Sequence, residues 1–91
     1  MQLWKPVEWD PAKNKLLKEE RGVSFEDVEN AIEQDCLLEI IPNRTRYAHQ
    51  KVFIVLIRSY VYGVPFVEDA HKIFLKTIIP NSEATKRYLS K

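Results

Sequence analysis

The chain has 91 residues, 45% of them apolar, 11% aromatic and 30% charged, enough for one thin-cored domain and too few for two. That balance excludes a disordered tail, a low-complexity linker and a collagen-like chain. Fourteen basic residues nearly cancel thirteen acidic ones, and the single cysteine, Cys36, cannot form an internal disulfide.

In chain order, Val7-Glu8-Trp9 reads as a short opening strand. Asp10-Pro11 then marks a helix start, an N-cap acceptor followed by proline where a missing N–H does no harm. This helix carries Lys13, Leu16, Leu17 and Lys18, and Gly22 is placed to end it in the left-handed conformation. Ser24-Phe25-Glu26-Asp27 resembles a capping box, with Asp27 in place of the usual Glu or Gln. Phe25, Val28, Ala31 and Ile32 follow at helical spacing, with Glu26, Asp27, Glu29, Asn30 and Glu33 on the opposite side. An acidic amphipathic helix is expected there.

From Cys36 the pattern turns to strands. Cys36 to Ile41 is the next, closed by Pro42-Asn43. Val52 to Ile57 is apolar throughout and rich in β-branched residues, which predicts a central strand covered on both faces. Arg58-Ser59 is a tight turn into Tyr60 to Val67, where Gly63 and Pro65 predict a bulge or an edge position. Glu68 to His71 turns again into Ile73 to Ile79, and Ser82 caps a last short helix through Glu83, Ala84 and Tyr88. The order β-α-α-β-β-β-β-α predicts a single α+β domain over residues 1–91, an antiparallel sheet packed by helices.

Alternation in the last strand puts Ile73, Leu75, Thr77 and Ile79 on one face and Phe74, Lys76 and Ile78 on the other. In the preceding strand Tyr60, Tyr62, Val64 and Phe66 share a face. If Lys76 and the tyrosines look the same way, the sheet offers a cation among aromatics, suited to unpaired bases and phosphates. Otherwise the aromatics fill the core beneath the helices.

Charge is unevenly placed along the chain. Residues 1–35 carry five basic and nine acidic side chains; residues 36–91 carry nine basic ones against Glu39, Glu68, Asp69 and Glu83. The later half can therefore attract phosphates. The longest apolar run, Val52 to Ile57, is six residues, against roughly 20 for a membrane span. The opening Met1-Gln2-Leu3-Trp4-Lys5-Pro6 lacks the pattern of a secretory signal. A soluble cytoplasmic domain with no membrane contact is expected.

Several chemistries are excluded by what is missing. With only Gly22 and Gly63, no glycine-rich loop can cradle a phosphate. His49, His71 and Cys36 stand apart, and the Glu68-Asp69 pair reads as a solvated turn, so no metal and no cofactor are expected. What remains is Arg44, Arg46, Tyr47, His49 and Lys51, with Lys72, Lys76, Arg87 and Tyr88 later. Metal-free RNA cleavage needs a base for the 2′-hydroxyl, an acid for the 5′-oxygen and cations for the phosphorane charge. This set can fill those roles, and it suits a plain binding surface equally.

The stretch Val7-Glu8-Trp9-Asp10-Pro11-Ala12-Lys13-Asn14, followed by Arg21-Gly22-Val23-Ser24-Phe25-Glu26-Asp27, resembles the opening signature of the BrnT toxins. These belong to the RelE-like ribonuclease superfamily of type II toxin–antitoxin systems. Gln50-Lys51-Val52-Phe53 resembles that family's E-R-F strand start, and Ala84 with Tyr88 its final helix. The resemblance covers essentially the whole chain. It implies a RelE/BrnT-like fold and a toxin that cleaves mRNA and halts translation. It also implies a cognate antitoxin, with a homodimer or a toxin–antitoxin hetero-oligomer as the assembly.

By position, Lys51 corresponds to the family's strand-start arginine and Tyr88 to its terminal-helix tyrosine. Ser82 stands where the family's last strand carries arginine, and Arg21 where many members have histidine. The expected catalytic set is then Lys51, Lys76 and Arg46 against phosphate charge, His49 as proton shuttle, and Tyr88 positioning the substrate. Arg44, Tyr47, Tyr62 and Lys72 would hold the RNA. The alternative is a non-catalytic RNA- or protein-binding module on the same fold.

Overall fold

A computed structural model describes residues 2–42 and 50–90. The elements are β1 (Val7–Trp9), α1 (Pro11–Arg21), α2 (Phe25–Glu33), β2 (Leu37–Pro42), β3 (Lys51–Ile57), β4 (Tyr60–Glu68), β5 (Ile73–Leu75), β6 (Ile79–Pro80) and α3 (Ser82–Leu89). Their ends follow local chemistry. The Asp10 carboxylate accepts the Ala12 N–H at 3.0 Å, and Gly22 ends α1 at φ 66°, where a side chain would be strained. At α2, Ser24 Oγ accepts the Asp27 N–H at 3.1 Å while Asp27 accepts the Ser24 N–H at 2.9 Å. Both capping motifs stand as read. At α3 the cap is Asn81, whose side chain accepts the Ala84 N–H at 2.9 Å, and Ser82 is instead the first helical residue.

The sheet runs β1-β5-β4-β3-β2, with β6 also against β4. β1 pairs with β5 in parallel and the other pairs are antiparallel. The sheet is therefore mixed, not antiparallel throughout. Arg58 and Ser59, at φ 49° and 67°, make the left-handed hairpin turn that matches strand twist. The Arg58 guanidinium also donates to the Gly22 carbonyl at 2.7 Å and pairs with Asp27 at 3.5 Å. It ties this turn to the α1–α2 corner.

The expected last strand is split, and Pro65 explains the split. Phe66 faces Leu75 in the β4–β5 ladder, whereas Gly63 faces Ile79 in the β4–β6 ladder, so one extra residue lies between. Pro65 sits opposite that gap with no N–H to donate; its carbonyl accepts the Lys76 N–H at 2.8 Å. The proline thus lies in an interior strand, and the irregularity falls on its neighbour. The extra residue reverses the alternation. Ile78 turns into the core at 0% exposure while Ile79 is 48% exposed. The Arg21 guanidinium donates to the Ile78 carbonyl, holding the irregular segment against α1.

One sheet face is covered by α1 and α2. Phe53, Val55, Ile57, Val64, Phe66, Ile73 and Leu75 meet Leu17, Val23, Phe25, Val28 and Ile32 there. Phe53 and Phe66 stack at 3.9 Å between centroids. Among the described residues the other face carries only α3, fastened to β4 where Thr85 Oγ1 accepts the Val61 N–H at 2.9 Å. Val52, Ile54 and Leu56 remain half-exposed on it. The prediction that β3 is covered on both faces is corrected: among the described residues one face is sealed and the other is only partly covered.

Candidate nucleic-acid interface on the open sheet face

Strand parity decides which side chains reach the open face. Glu8 and Val67 lie opposite Phe74 in their ladders, on the side away from α1 and α2. Lys76 follows Phe74 by two residues, and its ammonium group stands 5.6 Å from the Phe74 ring centroid. Lys72 precedes Phe74 by two and pairs with Glu8 at 3.4 Å. Lys72 and Lys76, both predicted site residues, thus flank one ring.

Across the face lie two hollows that share Ile54. One, of about 400 Å³, is lined by Ile41, Val52, Gly63, Pro65, Ile79 and Ser82 among others. The second, of about 430 Å³, lies beneath α3 between Leu38, Glu39, Val61, Arg87 and Tyr88. Tyr88 is 38% exposed, so its ring is open to a ligand. The floor shared by the hollows is apolar, with Glu83 bordering the first and Glu39, Arg87 and Tyr88 the second; Lys76, beside Phe74 on the same face, lines neither. Such a surface can stack bases and hold phosphates.

Lys51 is not part of it. It lies opposite Phe66, which places it on the helix-covered side of the sheet. There Glu68 accepts hydrogen bonds from Trp4 Nε1 at 2.6 Å and pairs with Lys5 at 2.8 Å. The Glu68 carboxyl is held below the usual range by Lys5, then by Trp4, with Lys51 adding a smaller share. Lys51 and Lys76 consequently face opposite sides and do not converge.

Tyr62 is also on the covered side, opposite Val55 and packed against the core. Of the two readings of these aromatics, Tyr62 follows the second and fills the core; among the described residues Phe74 is the ring beside Lys76. Arg44, Arg46, Tyr47 and His49 lie outside the described residues. Ser82, where the resemblance implies an arginine, lines the first hollow as an exposed residue.

Arg87 was legible only as one more basic residue, and Phe74 only through its shared parity with Lys76. Neither could be placed in a groove before α3 was known to cross β4. The Glu68-Asp69 pair is engaged: Asp69 accepts the N–H groups of His71 and Lys72 at 2.7 and 2.8 Å. Those two bonds hold its pKa low. Among the described residues no three of His, Cys, Asp and Glu stand close enough to hold a metal ion, and no imidazole lines either hollow. Among them, too, no helix is long and apolar enough to cross a membrane. No family model, curated protein or solved structure matches the chain.

Proposed function

We propose that this chain is the toxin of a type II toxin–antitoxin pair, a BrnT-like cytoplasmic endoribonuclease that cuts mRNA without a metal and halts translation. The observation that carries the reading is the make-up of the open sheet face. Lys76 lies beside Phe74 on the same face as the hollow lined by Arg87 and Tyr88, and among the described residues α3 is the one helix that crosses this face. Bases stack on the two rings and phosphates sit on the two cations. Lys51 drops out of this RNA surface. On residue chemistry alone, His49 supplies the proton transfer and Arg46 the charge neutralisation. The cognate antitoxin silences the protein by covering the same face.

Induced expression without the antitoxin tests it. Growth arrest with loss of mRNA is expected, and Lys76→Ala with Arg87→Ala should abolish both, whereas Lys51→Ala should leave them. In vitro the double variant should flatten the dependence of log affinity on log salt by about 1.4, roughly 0.7 for each lost contact to a single strand. An arrest that depends on Lys51 and not on Lys76 would reverse the assignment of faces.

A second reading, a module that binds RNA or protein without cutting, is favoured by the separation of Lys51 from Lys76 and by Ser82 at the arginine position. Purified protein incubated with RNA separates the two readings. Retarded but intact RNA supports binding; shortened RNA supports cleavage.

A further inference from the structure

An anion on the open face owes its place to an irregularity in β2. Leu37 lies opposite Val55 and Glu39 opposite Ile54, so Leu38 is an extra residue in the ladder. Unbroken alternation would carry Glu39 to the side of Leu37, which packs against the core. The bulge moves it across. Ile54, its partner, is half-exposed on the open side, and Leu38 and Glu39 both line the hollow beneath α3. Bulges are over-represented next to active sites, where they re-aim a side chain.

The re-aimed group is a carboxylate, which repels phosphate. Glu39 is exposed, and among the described residues no ion pair joins it to Arg87 across the hollow. An ionised carboxylate only accepts, through two oxygens, so its complement is a pair of adjacent N–H donors. The four bases differ on that requirement. Guanine presents N1–H and the N2 amino group side by side on its Watson–Crick edge. Adenine and cytosine each set one amino donor beside a ring-nitrogen acceptor, and uracil sets its N3–H between two carbonyl oxygens. Guanine alone meets a carboxylate with two neighbouring donors.

We infer that the hollow beneath α3 is a guanine-selective subsite for single-stranded RNA, in which Glu39 accepts hydrogen bonds from guanine N1–H and N2–H. The inference rests on the RNA-binding reading above and adds which base is chosen. β3 separates β2 from β4, to which α3 is fastened. Glu39 therefore borders an apolar floor of Leu38, Ile54 and Val61 from β2, and Arg87 and Tyr88 border it from α3. The Tyr88 ring stacks on the base, and Arg87 holds the phosphate of the same nucleotide. At about 430 Å³ the hollow has the size of a small-ligand site, roughly 300–1,000 Å³.

Fluorescence anisotropy with two short oligoribonucleotides tests it, both 2′-O-methylated so that no 2′-hydroxyl can attack. One contains A, C and U only; the other has a single central guanosine. The purified chain should bind the second about tenfold more tightly. Inosine in place of that guanosine, lacking the N2 amino group, should lose most of the gain. Glu39→Gln puts a donor where the base needs an acceptor and should bring the ratio of the two affinities close to one, whereas Lys51→Ala should keep the ratio. Equal binding of both RNAs, inosine equal to guanosine, or an unchanged ratio in Glu39→Gln would each overturn the subsite and leave the RNA surface standing. Binding of neither RNA would overturn both together. Displacement of the RNA by an equal concentration of guanosine monophosphate would make a free nucleotide the occupant and overturn the inference. If Glu39→Gln fails to fold, the inosine comparison decides. RNA loss on induction reads the toxin proposal separately.

Discussion

The central strand presents two faces of equal apolar count and unequal burial. Along β3, Phe53 and Val55 are fully buried and Ile57 is 6% exposed, while Val52, Ile54 and Leu56 between them stay half-exposed. Among the described residues two helices seal the first face, and one short helix crosses the second. Burial is what converts apolar area to stability, at about 25 cal/mol per Å². The covered face therefore holds the molecule together. Along β3 the open face carries as many branched side chains for much less return, and the balance of its surface is left for a ligand.

The largest expected effect breaks or upholds that contrast directly. Phe53→Ala removes a ring stacked on Phe66 at 3.9 Å and should cost about 3–5 kcal/mol. That is a large part of the roughly 5–15 kcal/mol a domain of this kind has. Ile54→Ala, one residue along and on the open face, should cost less than half as much. Urea unfolding of the two variants gives both numbers. Equal losses would mean the open face is as much a core as the covered one.

Why some of this was legible and some was not follows from the range of the interactions. Asp10, Gly22, Ser24 and Asp27 act within four residues of themselves, so the helix ends could be read from neighbours alone. The Arg58-Ser59 turn is equally local. The parallel pairing of Val7–Trp9 with Ile73–Leu75 joins segments more than sixty residues apart, and nothing near either one encodes the direction. The break after Leu75 is caused by Pro65 on the adjacent strand, so a simple alternation carried through Lys76 put Ile78 and Ile79 on the wrong faces.

The site residues show the same limit. Parity within a strand placed Lys76 with Phe74 and Tyr62 with Phe66. Whether Lys51 and Lys76 meet depends on how two strands are joined through β4. That register separates them, although each was correctly read as a cation on or beside a strand.

A smaller effect tests the corner that fastens the helices to the covered face. Asn14 is 5% exposed; its Oδ1 accepts the Phe25 N–H at 2.8 Å and its Nδ2 donates to Glu26 at 2.7 Å. Asn14→Ala leaves the Phe25 N–H buried without a partner and should cost about 1–3 kcal/mol. The same amide is the first cause of the lowered Glu26 pKa. A depressed carboxyl pKa contributes stability that is present at neutral pH and lost as pH falls through the folded value, below the ordinary 4.5. The variant should therefore lose less stability than wild type on acidification. A parallel decline in both proteins would show that Asn14 supports Phe25 alone.

The smallest effect has the opposite sign. Glu29 lies on α2 beside the segment from Gln2 to Val7, where both border a hollow of about 380 Å³. Burial raises its pKa first, and the nearby Glu33 and Glu26 carboxylates raise it further. The native state then binds a proton more readily than the unfolded chain, so ionised Glu29 works against folding at neutral pH. That penalty fades as pH falls through the raised folded pKa and is gone below the ordinary 4.5. Glu29→Gln should accordingly be more stable than wild type at pH 7, by up to about 0.5 kcal/mol, with the difference shrinking toward zero near pH 4. Thermal melts at the two pH values check this. A variant less stable than wild type at pH 7 would mean that the carboxylate has a cationic partner, and that α2 contributes to the covered face through charge as well as through Phe25, Val28 and Ile32.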